Sequence, residues 1–343
     1  MIEIDGSHGE GGGQILRNAV ALSSLFKKPI KITNIRANRP NPGIKPQHFI
    51  SIKIIEELCN AETEGLSIDS TSLIFKPGIF KGGKFKFDIG TAGSIPLVFQ
   101  ACILACIQSN EKISINLKGG SDVRWAPSWD YFNHVFLKLI EKMNIHIKSN
   151  LIKRGYYPKG GGEAELYIEP KKEIKPFNSQ DVQEFKSVNG IIHIANLPEH
   201  ISSRMKHSSL KVFVKNDINA TINVENVSDS LSPGTGITIW SQSKESVLGS
   251  TIIGYKGITA EEIGKNVAIN LLKEIESNAT IDEYAFDQLL PYFALATKKN
   301  SSSCIVRKVS NHALTNMWLI QKFLNVKFES KQMENIVFFK IKT

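Results

Sequence analysis

A run of glycines between a short strand and a helical stretch constrains this chain more than any other feature. The first 17 residues read MIEIDGSHGEGGGQILR, with glycines at Gly6, Gly9 and Gly11–Gly13. Met1–Ile4 has the pattern of a strand, and from Gln14 the apolar residues recur at helical spacing. A strand that enters a helix through such a turn presents free backbone N–H groups and the positive end of the helix dipole. The segment predicts an α/β fold with an anion site at this turn.

Glu10 lies in the middle of the glycine run. Because a carboxylate repels a phosphate, we expect Glu10 to hold a divalent cation that the phosphate shares. Two common phosphate motifs do not fit: the dinucleotide fingerprint requires a glycine where Gln14 stands, and the P-loop requires a Lys-Ser or Lys-Thr pair. A turn with a purely structural role remains an equal alternative at this point.

The charge and length of the chain set further bounds. Its 343 residues suggest two domains. Its 42 Lys and Arg residues exceed its 33 Asp and Glu residues, and the net charge of +9 favours an anionic partner such as nucleic acid. The chain opens on an acidic strand rather than a secretory signal, and its longest apolar run, Ile95–Ile107, is too short for a membrane span. We expect a soluble, cytoplasmic protein with no membrane partner. The four cysteines are expected to be buried in a reducing compartment rather than to bind zinc.

A basic loop follows the second predicted strand, Ile30–Ile35. It reads RANRPNPGIKPQH and leads into a helix from Gln47. Arginines at the carboxyl end of a strand, next to the start of a helix, are well placed for bidentate phosphate contacts. A solvated basic loop is the alternative interpretation.

Two further segments combine a strand, a loop and a helix. Strand Phe87–Gly90 enters a GTAGS turn and the helix Ile95–Ile107, in which Gln100 is the one strongly polar side chain. A buried glutamine requires a hydrogen-bond partner, either within the core or on a ligand. Strand Ile113–Leu117 precedes a loop and a helix from about Ser128 to Met143. In this segment the loop residues Trp125, Ala126 and Pro127, together with Tyr131, form an apolar, aromatic rim that can sandwich a purine or close a core.

The recurrence of strand, loop and helix near residues 1–25, 30–58, 87–107 and 113–143 predicts repeated α/β modules. Pro170–Gln183 is charged and irregular, which is typical of a linker. The predicted domains are a large domain of repeated modules over 1–183, an inserted small α/β domain over 184–278 and a completion of the large domain over 279–343.

The last two predicted helices carry polar residues of interest. In the helix Asp282–Ala296, Tyr284, Asp287 and Gln288 share one face, which is either a solvated face or a ligand contact. A strand, Cys304–Val309, leads to a helix for which Asn311 is the predicted N-cap. His312 then lies in the first helical turn, where the dipole disfavours an imidazolium. A neutral imidazole beside a phosphate is a competent nucleophile.

The string from Asp5 to Arg17 closely resembles the N-terminal signature of the RNA 3'-terminal phosphate cyclases. Further segments similar to that family follow in the expected order over nearly the whole chain. They are RANRPNPGIKPQH, GTAGS with its glutamine, the Pro127–Tyr131 segment, GYYPKGGGEAEL, DQL and SNHALTN…KFL.

The resemblance implies an α/β (α+β) fold. The large domain is built from repeated units, each with two helices on a four-stranded sheet, in a scheme shared with the enolpyruvyl transferases, and it carries a smaller inserted α/β domain. The implied reaction is ATP-dependent conversion of an RNA 3'-phosphate to a 2',3'-cyclic phosphodiester. It proceeds through enzyme–histidine–AMP and RNA–adenylate intermediates. The implied cofactors are ATP and Mg²⁺ or Mn²⁺, and the implied partner is RNA with a 3'-phosphate end. The oligomeric state is left open, with a homodimer as one alternative.

The resemblance also assigns roles to residues of this sequence. His312 is the implied nucleophile, and Glu10 is the implied metal ligand. The implied nucleotide contacts are Gln100, Pro127, Tyr131, Tyr284, Asp287 and Gln288, and the implied phosphate or RNA contacts are Arg17, Arg36, Arg39, Gln47 and His48. This assignment requires His312 to lie within a few ångströms of the glycine turn. Two alternatives stay open: a non-catalytic cyclase-like protein of ribosome assembly, and an enolpyruvyl transferase.

Overall fold

The strand, glycine turn and helix predicted at the start of the chain are present in the computed structural model, which describes residues 1–169, 173–296 and 301–342. They begin a module of four strands and two helices: β1 (Ile2–Asp5), α1 (Gly13–Phe26), β2 (Ile30–Thr33), α2 (Pro46–Cys59), β3 (Glu62–Glu64) and β4 (Leu73–Lys76). The sheet has the order β1-β2-β4-β3. The pair β1–β2 is parallel and the other pairs are antiparallel.

A second module repeats this arrangement. Its elements are β5 (Gly83–Asp88), α3 (Ile95–Cys106), β6 (Ile113–Gly119), α4 (Trp129–Tyr131), a π-helical segment (Phe132–Phe136), α5 (Leu137–Lys142), β7 (Ile147–Lys153) and β8 (Gly162–Ile168). The sheet order β5-β6-β8-β7, with β5 and β6 parallel, matches that of the first module. Here α4, the π-helical segment and α5 follow one another without a break and take the place of a single helix.

The chain then begins a third module, which an inserted unit interrupts after its first strand, β9 (Asn178–Ser179). The inserted unit consists of β10 (Ser187–Ala195), α6 (His200–Val214), β11 (Asn219–Val227), β12 (Gly234–Gln242), β13 (Val247–Ile253) and α7 (Ala260–Glu276). Its own sheet has the order β11-β10-β12-β13.

After the inserted unit the third module resumes. Its remaining elements are α8 (Glu283–Ala296), β14 (Ser302–Val306), α9 (Asn311–Phe323), β15 (Lys327–Met333) and β16 (Ile336–Lys342). The order β9-β14-β16-β15, with β9 and β14 parallel, is again the order of the first module. The predicted fold class, repeated two-helix and four-strand modules with an inserted α/β unit, is confirmed.

The stretch Pro170–Gln183, predicted as a linker, contains β9 and is therefore not irregular throughout. Asn178 and Ser179 pair with Ser303 and Cys304 of β14. Pro170, Lys171 and Lys172 lie outside the described residues. The domain limits of 1–183, 184–278 and 279–343 stay a prediction.

Two clusters of buried apolar side chains lie on either side of β13. Val247 belongs to the larger core, which the three modules share, and Leu248 belongs to the smaller core of the inserted unit. Successive residues of a strand point to opposite faces of the sheet, so β13 joins the two cores. The four cysteines are buried and free, as predicted. Over the described residues, the helices are all too short or too polar to cross a bilayer.

Candidate active site

The start of α9 places His312 beside the glycine turn of the first module. The hydroxyl of Ser310 caps the helix by accepting a hydrogen bond from the backbone N–H of Ala313 at 3.1 Å. Asn311 is therefore the first helical residue, and the prediction of Asn311 as the cap is wrong by one residue. His312 lies in the first turn, as its place after the cap requires, and its side chain is 45% exposed.

Two side chains of the glycine turn contact the His312 ring. Nε2 lies 3.0 Å from Oε2 of Glu10, and Nδ1 lies 3.1 Å from Oε1 of Gln14. When Nδ1 carries the proton and donates it to Gln14, the lone pair of the neutral ring is on Nε2. In that tautomer Nε2 faces the Glu10 carboxylate, and the two contacts fix the ring at the predicted close approach to the glycine turn.

The glycine turn leaves the N-terminus of α1 without a side-chain cap. Gly12 stands at the cap position in an extended conformation. Gly9 and Gly11 have φ values of +58° and +54°, which residues with a Cβ adopt at a cost of about 1–2 kcal/mol. The uncapped N–H groups of the first turn, together with the helix dipole, suit an anion.

Three arginines lie near this helix start. Arg39 forms an ion pair with Glu10 at 3.5 Å. Burial lowers the pKa of Arg17 to about 10, with the attraction of Asp287 opposing the repulsion of Arg36. Burial, followed by repulsion from Arg39, also lowers the pKa of Arg36. A bound anion would relieve this crowding of cations.

Arg36 is partly held by its own loop. Its Nη1 donates to the carbonyl oxygens of Asn41 at 2.7 Å and Gly43 at 3.0 Å. Nε and Nη2 of Arg36 form no hydrogen bond with the described residues, so these two groups are available to a ligand.

Gln47 and His48 are built into the framework of the site. Oε1 of Gln47 accepts a hydrogen bond from the backbone N–H of Ser94 at 2.8 Å, which fixes the GTAGS turn. His48 is buried, and its Nδ1 accepts from the backbone N–H of Lys45 at 3.2 Å. Burial, reinforced by neighbouring cations, lowers the pKa of His48 to about 3. The ring is neutral with its proton on Nε2, the atom that packs against Gly13 at the start of α1.

Hydrogen bonds connect three of the predicted nucleotide contacts, Gln100 of α3 and Tyr284 and Gln288 of α8. Nε2 of Gln100 donates to Oε1 of Gln288, and Nε2 of Gln288 donates to the carbonyl oxygen of Tyr284 at 2.8 Å. Asp287 is buried, and burial together with neighbouring carboxylates raises its pKa to about 8. The Asp287 carboxyl is therefore largely protonated at neutral pH and can donate a hydrogen bond.

An amide pair, made by the half-buried Asn18 and the buried Asn316, connects these helices to α1 and α9. Nδ2 of Asn18 donates to Oδ1 of Asn316 at 2.8 Å, and Nδ2 of Asn316 donates to the carbonyl oxygen of Asp287 at 2.8 Å. The helix that carries His312 is thus fixed to the helix of the glycine turn and to α8.

The two residues predicted to lie against adenine, Pro127 and Tyr131, and the predicted nucleotide contact Tyr284 differ in exposure. Tyr284 is 67% exposed and Pro127 is half-buried. Tyr131 is buried in the core, and its hydroxyl donates to Asp282 at 2.6 Å. Tyr131 has no free face for a base in this conformation, so the structure favours the other role left open for it, that of closing the core.

The donors at the site fit a phosphate-bearing ligand. The start of α1 supplies N–H groups, and three arginines supply positive charge. Magnesium is usually bound by one or two carboxylates together with phosphate oxygens and water. Glu10 therefore fits a divalent cation that it shares with a phosphate.

Sequence reasoning missed several residues of the site. Gln14 lies inside the glycine motif and contacts His312. The sequence feature that distinguished Gln14 is that it stands where the dinucleotide fingerprint requires a glycine. Ser310 directly precedes the predicted cap. Asn316 ends the SNHALTN segment and Asn18 carries no sequence signal; their contact was not predictable, because it joins positions 298 residues apart.

Comparison with known proteins gives one consistent result. The model of a family described as RNA 3'-terminal phosphate cyclase matches residues 8–330. The chain is 40% identical over 331 residues to an RNA 3'-terminal phosphate cyclase of Pyrococcus furiosus, covering 96% of this chain and 95% of the relative. It is 40% identical over 354 residues to one of Methanosarcina mazei, with 98% of both chains covered. It is 39% identical over 338 residues to one of Nitrosospira multiformis, covering 98% of this chain and 95% of the relative.

Proposed function

This chain belongs to the RNA 3'-terminal phosphate cyclase family, and on that premise we propose that it converts the 3'-terminal phosphate of an RNA to a 2',3'-cyclic phosphodiester at the expense of ATP. A phosphomonoester dianion repels an attacking alkoxide, and its oxide is a poor leaving group. Transfer of AMP to the 3'-phosphate removes both obstacles, because AMP then becomes the leaving group.

The observation that carries this proposal is the position of His312. Its ring lies at the start of a helix, between Glu10 at 3.0 Å and Gln14 at 3.1 Å, next to the uncapped start of α1. A histidine in this arrangement has an oriented ring and an adjacent anion site. These are the requirements of a nucleophile that attacks a phosphate.

In the proposed first step, Nε2 of His312 attacks the α-phosphorus of ATP. The bond from that phosphorus to the bridging oxygen breaks, and pyrophosphate leaves. Gln14 holds the Nδ1 proton during this step, which keeps the ring in the tautomer that has its lone pair on Nε2. Arg17, Arg36 and Arg39 neutralise the charge on the phosphates.

In the second step an oxygen of the RNA 3'-phosphate attacks the phosphorus of the AMP adduct, and the bond from phosphorus to Nε2 breaks. In the third step the neighbouring 2'-hydroxyl attacks the 3'-phosphorus, loses its proton and expels AMP. The 2'-oxygen is already held next to the phosphorus, so proximity supplies much of the rate. Glu10 would hold Mg²⁺ or Mn²⁺, which supplies positive charge to the phosphates.

Two other functions were left open by the sequence. A non-catalytic cyclase-like protein of ribosome assembly would not need an oriented His312, and an enolpyruvyl transferase would form no bond between AMP and protein. The contacts of His312 with Glu10 and Gln14 support the cyclase over both.

The test is incubation of the protein with ATP labelled at the α-phosphate and a divalent metal, followed by denaturing electrophoresis. We expect a labelled band from the wild-type protein and none from His312→Ala. The matched control is His200→Ala, because His200 also lies in the first turn of a helix but in the inserted unit. That variant should label like the wild type.

An adduct on His312→Ala would show that another residue is the nucleophile. A wild-type protein that forms neither an adduct nor a cyclic RNA end would favour the non-catalytic branch.

A further inference from the structure

The loop that joins β6 to α4 displays the most exposed large apolar side chain among the described residues. Trp125 is 90% exposed. A tryptophan in this position leaves a large apolar surface in water, and such surfaces commonly mark interaction sites. The resemblance assigns roles to Pro127 and Tyr131 of this segment but none to Trp125, which lies two positions before Pro127.

One cation, Arg124, contacts both Trp125 and a second aromatic ring. The guanidinium carbon of Arg124 lies 4.6 Å from the centroid of the Trp125 ring and 4.0 Å from that of Tyr255, which follows β13. Tyr255 is 45% exposed. We name Arg124, Trp125 and Tyr255 the stacking platform. Arg124 lies over part of the Trp125 ring, and the 90% exposure shows that most of the ring is open to a ligand.

The backbone at Trp125 adopts a conformation that costs free energy. Its φ of +61° lies in the left-handed region, which costs a residue with a side chain about 1–2 kcal/mol. The loop is nonetheless fixed at its two ends. Oδ1 of Asp122 accepts from the backbone N–H of Trp129 at 3.2 Å, and Ser128 caps α4 through the N–H of Tyr131 at 3.1 Å. Strain that persists in an anchored loop points to a functional site.

The charge near the platform favours a nucleic acid over a protein partner. Within the described ranges, neither Arg124 nor Lys256, which follows Tyr255 in the sequence, has a carboxylate within ion-pair distance, in contrast to the other arginine of this region, Arg154. Exposed aromatic rings beside free cations are the usual means of binding single-stranded nucleic acid, since every base has a face that can stack.

We propose that the stacking platform binds an unpaired base near the 3' end of the RNA, with Trp125 as the stacking surface and Arg124 as the cation that fixes its ring. The proposal rests on the proposed function, because it takes RNA as the substrate of the same site. The loop that carries Trp125 also carries Pro127, so the platform and the predicted adenine contact belong to one segment.

The test uses the full-length protein and a short single-stranded RNA with a 3'-phosphate and a 5'-fluorescent label, without ATP. Trp125→Ala should weaken RNA binding about 5- to 150-fold, the range expected for loss of one stacked base. Trp125→Phe keeps an aromatic face and should restore most of the affinity. The control Tyr167→Ala removes an exposed aromatic side chain from β8 and should bind like the wild type.

Two further measurements locate the contact. RNA should quench the tryptophan fluorescence of the wild type, and Trp125→Phe should bind RNA without that component of quenching. A series of RNAs, each lacking one base near the 3' end, should identify the base that contacts Trp125. For that RNA, Trp125→Ala should cause no further loss of affinity, because the contact is already absent.

The AMP adduct separates this proposal from the proposed function. Trp125→Ala should form the adduct at the wild-type rate, because the adduct requires no RNA. Absence of an adduct in the wild type would contradict the proposed function alone. Equal RNA affinity of Trp125→Ala and wild type would contradict the proposed role of the stacking platform. If Trp125→Ala changed only the oligomeric state of the protein, Trp125 would belong to a contact between protein copies, and the proposal would also be wrong.

Discussion

The protonation of Asp287 depends on its position beneath the candidate site. The side chain is buried, and Asp282 and Glu10 add negative charge near it, so its pKa is raised to about 8. An aspartate in the unfolded chain titrates near ~4. Between these two values the folded protein holds a proton that the unfolded chain has released.

The free energy of unfolding should therefore fall as the pH rises from about 4 to 8, because the unfolded state binds fewer protons in this range. Asp287→Asn is neutral at every pH and should remove this part of the fall. Relative to the wild type, the variant should gain stability between pH 5 and pH 8, by on the order of 1.4 kcal/mol for each pKa unit that lies within that interval. Urea denaturation at pH 5, 6.5 and 8 measures the difference.

The control for this prediction is Asp217→Asn, which makes the same chemical change on an exposed turn. A difference between Asp287→Asn and wild type that is equal at all three pH values would show that Asp287 is ionised throughout.

At the level of single elements, the first turn of α9 depends on one hydroxyl. Ser310→Ala removes the cap on the N–H of Ala313, which should lower the free energy of unfolding by about 1 kcal/mol. The uncapped turn also orients His312 less well, so the rate of AMP adduct formation should fall while ATP binding changes little. Thermal unfolding and single-turnover labelling measure the two effects.

Ser310→Thr keeps the cap and is the matched variant for this prediction. It should retain both stability and labelling rate. If Ser310→Ala loses stability but labels like Ser310→Thr, the cap has no part in orienting His312.

The elements that the sequence predicted well are those whose own pattern is strong. The apolar spacing of α1 and α3 predicts helices that the structure places within a residue of the expected start. β9 was missed because a strand of two residues in a charged stretch has no pattern of its own. It forms only by pairing with β14, more than 120 residues away. The burial of Tyr131 was likewise undecided, since helical spacing does not show which aromatic residues the inserted unit covers.

Local sequence predicted the position of His312 in its helix but not the contacts that its side chain makes. The position of His312 in a first helical turn follows from local sequence. Its contacts with Glu10 and Gln14 join the third module to the first, across 298 residues in the case of Gln14. The packing of α9 against α1 and α8, with hydrogen bonds through Asn18 and Asn316, brings these segments together.

On the scale of the whole molecule, Arg154 links the modules to the inserted unit. Arg154 is 3% exposed, and its guanidinium donates to Asp122 at 3.0 Å and to Asp130 at 3.0 and 3.1 Å in the second module. It also donates to Glu225 of β11 at 2.6 and 3.0 Å. Asp122 in turn lies 3.4 Å from the buried His193 of β10.

These contacts place more carboxylates than cations in a buried space. Burial lowers the pKa of His193 to about 4, so its ring adds no positive charge at neutral pH. Burial also outweighs Arg154 at Asp130 and raises the pKa of that carboxyl to about 6. Arg154 is therefore the cation on which the junction of the two cores depends.

Arg154→Met should lower the free energy of unfolding by about 3–5 kcal/mol, because it leaves buried carboxylates without a partner. Arg154→Lys keeps the charge but loses the planar fork, and it should lose less. The matched control is Arg204→Met, which breaks an exposed pair with Glu261 in the inserted unit and should change the free energy of unfolding little, because water screens this pair. Guanidinium denaturation, followed by circular dichroism and by tryptophan fluorescence, should show a single transition in the wild type and separated transitions in Arg154→Met. Equal losses in Arg154→Met and Arg204→Met would mean that the two cores are joined by the apolar contacts of β13 and not by this arginine.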